Sequence, residues 1–313
     1  MSLEEYSFSH LLPTFIIPAG TQVVLKVDKI LADNSVRPRG SVAVVQESPA
    51  ENQYAYTLHF ADGQTAKAYF HELAIRRKEI DDELVLTGED LRPFLIYRCQ
   101  VGSRAFGLAT KDSDDDLRGI YLPPARLHWS LYKLPEQLEF TDETKDEVYW
   151  ELEKFLKLAL KANPNVLEIL WTPLVLYADE TAKQLRNMRT AFLSRHIYKT
   201  YSGYVLSQFR RMANAHARTG VYRPKHAMHL VRLLHSGIEA LRSGEIRIDV
   251  ADHRDELLAI RSGAWSFEQA KDRALQLDRR FQEEYRSTKL PEQPDYRQVD
   301  AFLIEARRRM VDA

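Results

Sequence analysis

The chain has 313 residues, 44% of them apolar and 28% charged, with 44 Lys+Arg against 45 Asp+Glu. This is the composition of a globular protein with room for two or three domains, and it excludes disordered, collagenous and membrane-spanning classes. A single cysteine, Cys99, excludes an internal disulfide framework and a cysteine-rich zinc site. The net charge of −1 hides an asymmetry. Residues 1–90 carry 8 Lys+Arg against 14 Asp+Glu, and residues 186–247 carry 12 against 2. A basic segment of that strength suits a phosphate-rich ligand. The first ten residues, MSLEEYSFSH, are acidic and lack the basic-then-apolar order of a signal peptide. No apolar run approaches the length of a transmembrane helix. A cytoplasmic location and no membrane partner are therefore expected.

Residues 14–80 read as β. Val23–Val27 and Val42–Val45 are short apolar runs, with turn-like Arg37-Pro38-Arg39-Gly40 between them. Tyr54, Tyr56, Leu58 and Phe60 alternate with smaller or polar residues, as core positions of a strand do. Asp62-Gly63 then turns the chain into Thr65–Phe70, a hairpin signal. Five short strands in this span predict a small SH3-like β-barrel over residues 1–87. Asp81-Asp82-Glu83 and Gly88-Glu89-Asp90 are polar punctuation and predict a linker.

The run Leu95–Val101 is strand-like and leads into Gly102-Ser103, followed by a segment, Arg104–Ala109, able to make one or two helical turns. Strand, glycine turn and helix start form a place where backbone N–H groups hold phosphate oxygens. A second strand beginning near Asp114 and running through Leu117–Leu122 would alternate its side chains. Asp114 and Asp116 would share one face, and Asp115 would take the other. Two carboxylates beside an anion-binding turn suit Mg²⁺ bridging to a nucleoside triphosphate.

Gly-Ser, ten residues and then Asp-x-Asp resembles the signature of the DNA polymerase beta-like nucleotidyltransferase superfamily. GSRAFGLA followed by SDDDLRGIYLPP is similar, more closely, to the RlaP and YcgL-like group of nucleotidyltransferases. The likeness continues in KFLKLALKANPNVLEILW, KHAMHLVRLLHSGIEALRSGEI and RDELLAIRSGAWSFEQ, and covers residues 94–275. The resemblance implies an α+β fold: a polymerase-beta-type core, a mixed sheet with helices, over residues 88–180. It implies a third metal-binding carboxylate on or before a later strand. Asp146 holds that place, with Glu147 the alternative if the register differs by one.

From Thr181 to the end the pattern is helical, a third domain over residues 181–313. Leu152–Leu160 before it is amphipathic and stops at Asn163-Pro164. Helices are expected over Thr181–Leu193, Ile197–Met212, Lys225–Arg242, Arg254–Arg261, Ser266–Arg286 and from Asp295, with a loop over Asn214–Val221. Lys225, His229 and Arg232 fall at i, i+4 and i+7, on one face opposite leucines. That face would reach triphosphate oxygens if it fronts the cleft.

The expected activity is Mg²⁺-dependent (Mn²⁺ possible as substitute) transfer of a nucleoside monophosphate from an NTP to an acceptor hydroxyl. Asp114, Asp116 and Asp146 would hold the metals; Gly102, Ser103, Lys225, His229 and Arg232 would hold the nucleotide. An RNA end is the first acceptor and a protein hydroxyl the second. The alternative is a catalytically inactive nucleic-acid-binding module built on the barrel and the basic helices.

Overall fold

The computed structural model describes residues 16–31, 33–51, 53–76, 84–86, 90–110, 113–141 and 145–311. The expected linker residues at 81–83, 88 and 89, and the N-terminal decapeptide, lie outside the described residues. By its internal contacts the chain divides into two units, residues 1–87 with 131–133, and residues 88–130 with 134–313.

The first unit contains β1 (Gln22–Leu25), β2 (Lys29–Ile30), β3 (Val36–Arg37), β4 (Val42–Glu47), β5 (Tyr56–His59), β6 (Thr65–Ala68) and β7 (Leu73–Ile75). Five of these form one antiparallel sheet in the order β6-β5-β4-β1-β7, and β2 pairs with β3. Alternation decides the faces: Ala43 and Val45 of β4 and Tyr56 and Leu58 of β5 are buried, while Val42, Val44 and His59 are exposed. Asp62-Gly63 closes the β5–β6 hairpin, with the Phe60 and Gly63 N–H groups donating to Gln64 O and Phe60 O. A 3₁₀ turn, Phe70–Glu72, carries the chain from one edge of the sheet to the other, where β7 pairs with β1. Among the described residues β6 and β7 remain edges and no pairing joins them. The closed barrel expected from the sequence is thus not found, although its strands and turns are. Of the aromatic run, Tyr56 and Phe60 are core and Tyr54 is exposed.

The second unit runs β8 (Leu95–Gln100), α1 (Gly102–Ala105), β9 (Asp115–Tyr121), α2 (Ala125–His128), β10 (Gln137–Thr141), β11 (Lys145–Glu151), α3 (Leu152–Leu160), α4 (Pro164–Trp171), β12 (Val175–Ala178), α5 (Glu180–Asn187), α6 (His196–Thr219), α7 (Pro224–Ser243), α8 (Arg254–Arg261), α9 (Phe267–Ser287) and α10 (Tyr296–Arg309). Its sheet has the order β10-β11-β9-β8-β12. β9 pairs parallel with β11, and every other pairing is antiparallel, so the sheet is mixed and the fold α+β.

Local chemistry sets the helix ends. Asn163 caps α4, its side chain accepting from the Asn165 and Val166 N–H groups, with Pro164 in the first turn. Ser266 and Gln269 form a reciprocal capping box at the start of α9, and Asp295 caps α10. The loop expected over Asn214–Val221 is not formed: α6 continues to Thr219. Ala213, Ala215, Ala217 and Arg218 favour helix, and the chain leaves it only at Gly220, which is left-handed.

One apolar cluster, from Ile96 to Ala306, spans both the 88–180 and the 181–313 segments. Helix α7 lies deep in it and packs against α6, α8 and α9. A Cβ on Gly237 would lie 2.8 Å from Phe281 Cε2 and 3.0 Å from Tyr201 Cδ1. Only a residue without a side chain allows the three helices to approach this closely. No helix among the described residues is long and apolar enough to cross a membrane.

Candidate active site

β8 ends at Gln100, and the chain turns at Gly102 into the single helical turn of α1. The Val101 N–H donates to Asp116 O at 2.9 Å, which keeps this turn tied to β9. Gly102 has φ +70°, and a Cβ there would lie 2.0 Å from Asp116 Oδ2. The Asp116 carboxylate therefore lies directly against the glycine, in the space any other side chain would take. Gly102→Ala is expected to cost about 1–2 kcal/mol from the left-handed backbone alone, and to push Asp116 out of place. Urea denaturation and metal titration of this variant should both show a loss, and unchanged values in both would remove this account of the turn.

The parallel register sets Asp146 of β11 directly beside Asp116 of β9. Asp114, two residues before Asp116, is exposed, and its charge acts on Asp116. Asp115 and Glu147 take the opposite face. Asp115 pairs with Arg104 at 2.7 Å and accepts from Gln100 Nε2 at 2.9 Å. Glu147 pairs with Arg98 at 3.0 Å and accepts from the Tyr149 hydroxyl. Of the two residues considered for the third carboxylate, Asp146 lies on the aspartate face and Glu147 does not.

Arg118, two residues beyond Asp116, shares that face. Its Nη2 donates to Asp146 Oδ2 at 2.7 Å, and its Nη1 to Asp146 O at 2.6 Å and Leu117 O at 2.9 Å. Asp116 Oδ1 is 4.0 Å from Nη2. Asp116 and Asp146 share one face, Asp114 lies just before the strand, and the three do not close into a compact group. Among the described residues, the trio of potential metal-binding groups whose ligand atoms lie within 4.8 Å of one another is His235, His253 and Glu256. There Glu256 is already engaged by His235, at 2.8 Å, and by Arg273.

Burial raises the Asp116 carboxyl above its ordinary value. Arg118 opposes this, the neighbouring Asp146 and Asp114 charges add to it, and Lys225 opposes it. Burial is thus the main cost of the charge at Asp116. Lys225, exposed at the start of α7, is the residue of that helix whose charge reaches it.

The face expected to carry Lys225, His229 and Arg232 to a ligand turns inward after its first turn. Burial, with Arg232 and Lys225 nearby, presses His229 down to about 4, so at neutral pH it offers a hydrogen bond and no charge. Arg232 is 8% exposed. It pairs with Glu168 at 2.6 Å and lies 3.8 Å from the centroid of the Phe106 ring. A guanidinium so committed is a core element, and the expectation that it contacts phosphate is corrected. Other arginines of the basic segment are also engaged away from the aspartates: Arg186 with the Leu170 and Thr172 carbonyls, Arg195 with Glu292, Arg242 with Glu239 and Arg247 with Asp252. Arg210, Arg211, Arg218 and Arg223 are exposed and make no ion pair among the described residues. Cys99 is fully buried, and burial pushes its thiol up to about 12, so it is a packing residue and not a nucleophile.

These groups set the acid behaviour. His128, pressed down to about 4 by burial and by Arg307, and His229 both fold as neutral rings. A histidine with a depressed folded pKa contributes stability above its unfolded value of 6.5, lost as pH falls toward 4. Burial raises Glu256, but hydrogen bonds from His235 and Arg273 outweigh it and hold the group near 2, so its contribution is lost between its ordinary 4.5 and 2. Asp116 and Glu151, raised by burial, offset part of this at the acid end. Urea midpoints should be flat between about pH 7 and 8, fall progressively below about 6.5, and fall again at alkaline pH, where the unfolded chain ionises Cys99 and the buried tyrosines that the folded one keeps neutral. A stability maximum near pH 5 would contradict these assignments.

Comparison with known proteins follows the same residues. The profile of the RNA repair pathway DNA polymerase beta family, RlaP, matches residues 76–305. The chain is 37% identical over 116 residues to the uncharacterized protein YcgL of Bacillus subtilis, covering 36% of this chain and 45% of that one. It is 27% identical over 157 residues to the uncharacterized protein MJ0002 of Methanocaldococcus jannaschii, covering 49% and 63%. It is 30% identical over 125 residues to an uncharacterized 38.9 kDa protein of phage T4, covering 36% and 37%. The chain thus spans less than two thirds of the length of each of these relatives. A crystal structure of a nucleotidyltransferase-like protein from Exiguobacterium sibiricum shares 14% identity and covers 74% of this chain and 78% of its own. Its TM-score against this chain is 0.28.

Proposed function

Because this chain belongs to the RNA repair pathway DNA polymerase beta family, we propose that it is a nucleotidyltransferase dependent on Mg²⁺, with Mn²⁺ as a substitute. The observation that carries this is the setting of Asp116 and Asp146 side by side on adjacent parallel strands, with Asp116 against the Gly102 turn. The donor set fits such an ion, since three carboxylates offer only hard oxygen ligands. Asp114, Asp116 and Asp146 would hold two ions. Bound there, the ions supply the positive charge that activates an acceptor hydroxyl and neutralises leaving pyrophosphate.

The remaining work falls to the chain's own residues. Gly102 and Ser103 hold phosphate oxygens through backbone N–H groups and the serine hydroxyl. Lys225 adds a charge at the same place. His229, neutral, orients by hydrogen bonding. The acceptor hydroxyl gives up its proton to solvent as its oxygen bonds to the α-phosphorus and the bond from that phosphorus to the α,β-bridging oxygen breaks, leaving a nucleoside monophosphate on the acceptor and free pyrophosphate. Arg210, Arg211, Arg218 and Arg223, exposed and without an ion pair among the described residues, favour an RNA end as acceptor over a protein hydroxyl, because a polyanion makes use of exposed cations.

Incubation with labelled nucleoside triphosphates, Mg²⁺, and RNA or protein tests this reading. Label in RNA is expected. Label in protein transfers the reading to the second acceptor. Salt-sensitive RNA binding with no transfer to anything identifies a catalytically inactive binding module instead.

A further inference from the structure

We propose that Arg118 is a built-in counter-ion that keeps the Asp146 carboxylate from a second divalent cation until nucleotide is bound. The inference rests on the reading of the aspartates as metal ligands, and it concerns how that site is loaded.

Arg118 does not hang at the rim of the site. Its two terminal nitrogens are fixed by Asp146 Oδ2, Asp146 O and Leu117 O, at 2.7, 2.6 and 2.9 Å. Its side chain is 19% exposed. The same Nη2 stands 4.0 Å from Asp116 Oδ1, between the two carboxylates that a shared cation would join. Asp146 spends a carboxylate oxygen on this contact, and the three aspartates do not draw into a compact trio as His235, His253 and Glu256 do. A guanidinium is planar, permanently charged and weakly hydrated, so it serves as an internal cation where a lysine would stay partly in water.

The charge balance gives the loading order. Among the described residues, three carboxylates faced by Arg118 and Lys225 leave one net negative charge. The first dication, at Asp114 and Asp116, more than neutralises it. A second would then meet net positive charge together with Arg118 in its place. A bound triphosphate brings about four negative charges and reverses this balance. Arg118 is then outcompeted at Asp146, and the second position opens only when there is a nucleotide to act on. Arg118 is in this sense a positioning residue: it acts on the metal site through Asp146.

Electron paramagnetic resonance of Mn²⁺ counts bound ions directly on the full chain. Without nucleotide, one Mn²⁺ per chain is expected in the wild type and two in Arg118→Met. The second ion should disappear again in Arg118→Met with Asp146→Asn. With saturating α,β-methylene nucleoside triphosphates the wild type should rise from one to two, and this measurement stands even if Arg118→Met does not fold. Two ions in the nucleotide-free wild type would overturn the proposal. So would a folded Arg118→Met that stays at one, which would show that Arg118 only braces β9 and β11. A wild type that stays at one with nucleotide would overturn it as well. A count of zero under both conditions removes the metal reading itself, and the counter-ion role with it.

Discussion

Asp116→Asn should abolish nucleotide transfer while leaving the fold as stable as before or more so. Asp116 is the carboxylate most tightly built into the site: beside Asp146 in register, against Gly102, and within reach of the charges of Asp114 and Lys225. An amide keeps the shape and the neighbours but cannot neutralise a cation. A loss of at least about a thousandfold is expected, about 4 kcal/mol of transition-state stabilisation. Stability should move the other way. Burial and two like charges raise the carboxyl in the folded protein, so a neutral side chain relieves repulsion there. Transfer assays and thermal melts on one preparation check both signs together. Retained transfer would remove Asp116 from the chemistry, and lost transfer with a collapsed melt would leave the chemical role unsupported by this variant.

Arg232→Met should produce the largest loss of stability and little change in nucleotide affinity. Arg232 and Glu168 form an ion pair whose side chains are 9% and 8% exposed. Removing one partner leaves the other charged and buried, which costs about 3–5 kcal/mol. Replacing both, as Arg232→Met with Glu168→Met, should recover much of that, since a buried pair is often no better than apolar residues of similar size. Urea denaturation of the two single variants and the double variant measures this coupling. Lys225→Ala should show the reverse pattern, with weaker nucleotide binding and an unchanged melt, because Lys225 is exposed and acts only through its charge on the site. Weakened binding in folded Arg232→Met would restore the guanidinium to the site.

These two arginines and the aspartates show where a sequence can be read and where it cannot. The order Gly102-Ser103 and then Asp114-x-Asp116 is local, and period-two alternation assigns faces without tertiary knowledge. The Asp62-Gly63 hairpin and the caps at Asn163, Ser266 and Asp295 are local for the same reason. Arg232 was not legible, because helical spacing from Lys225 gives a shared face but not how far the core extends along it. Its partner Glu168 lies 64 residues away. The Arg118–Asp146 contact depends on the parallel register of β9 and β11, across 28 residues. That register also separates Asp146 from Glu147, a choice spacing alone leaves open. Helix α6 outran its expected end because Asn214 and His216 look like loop residues, while Ala213, Ala215 and Ala217 beside them support helix.

The most direct test of the central claim is the anomalous diffraction signal of Mn²⁺ in crystals grown with an α,β-methylene nucleoside triphosphate. The account places two peaks at the carboxylates of Asp114, Asp116 and Asp146, with the phosphates against Gly102 and Ser103. Peaks absent from those carboxylates, or found instead between His235, His253 and Glu256, would contradict it.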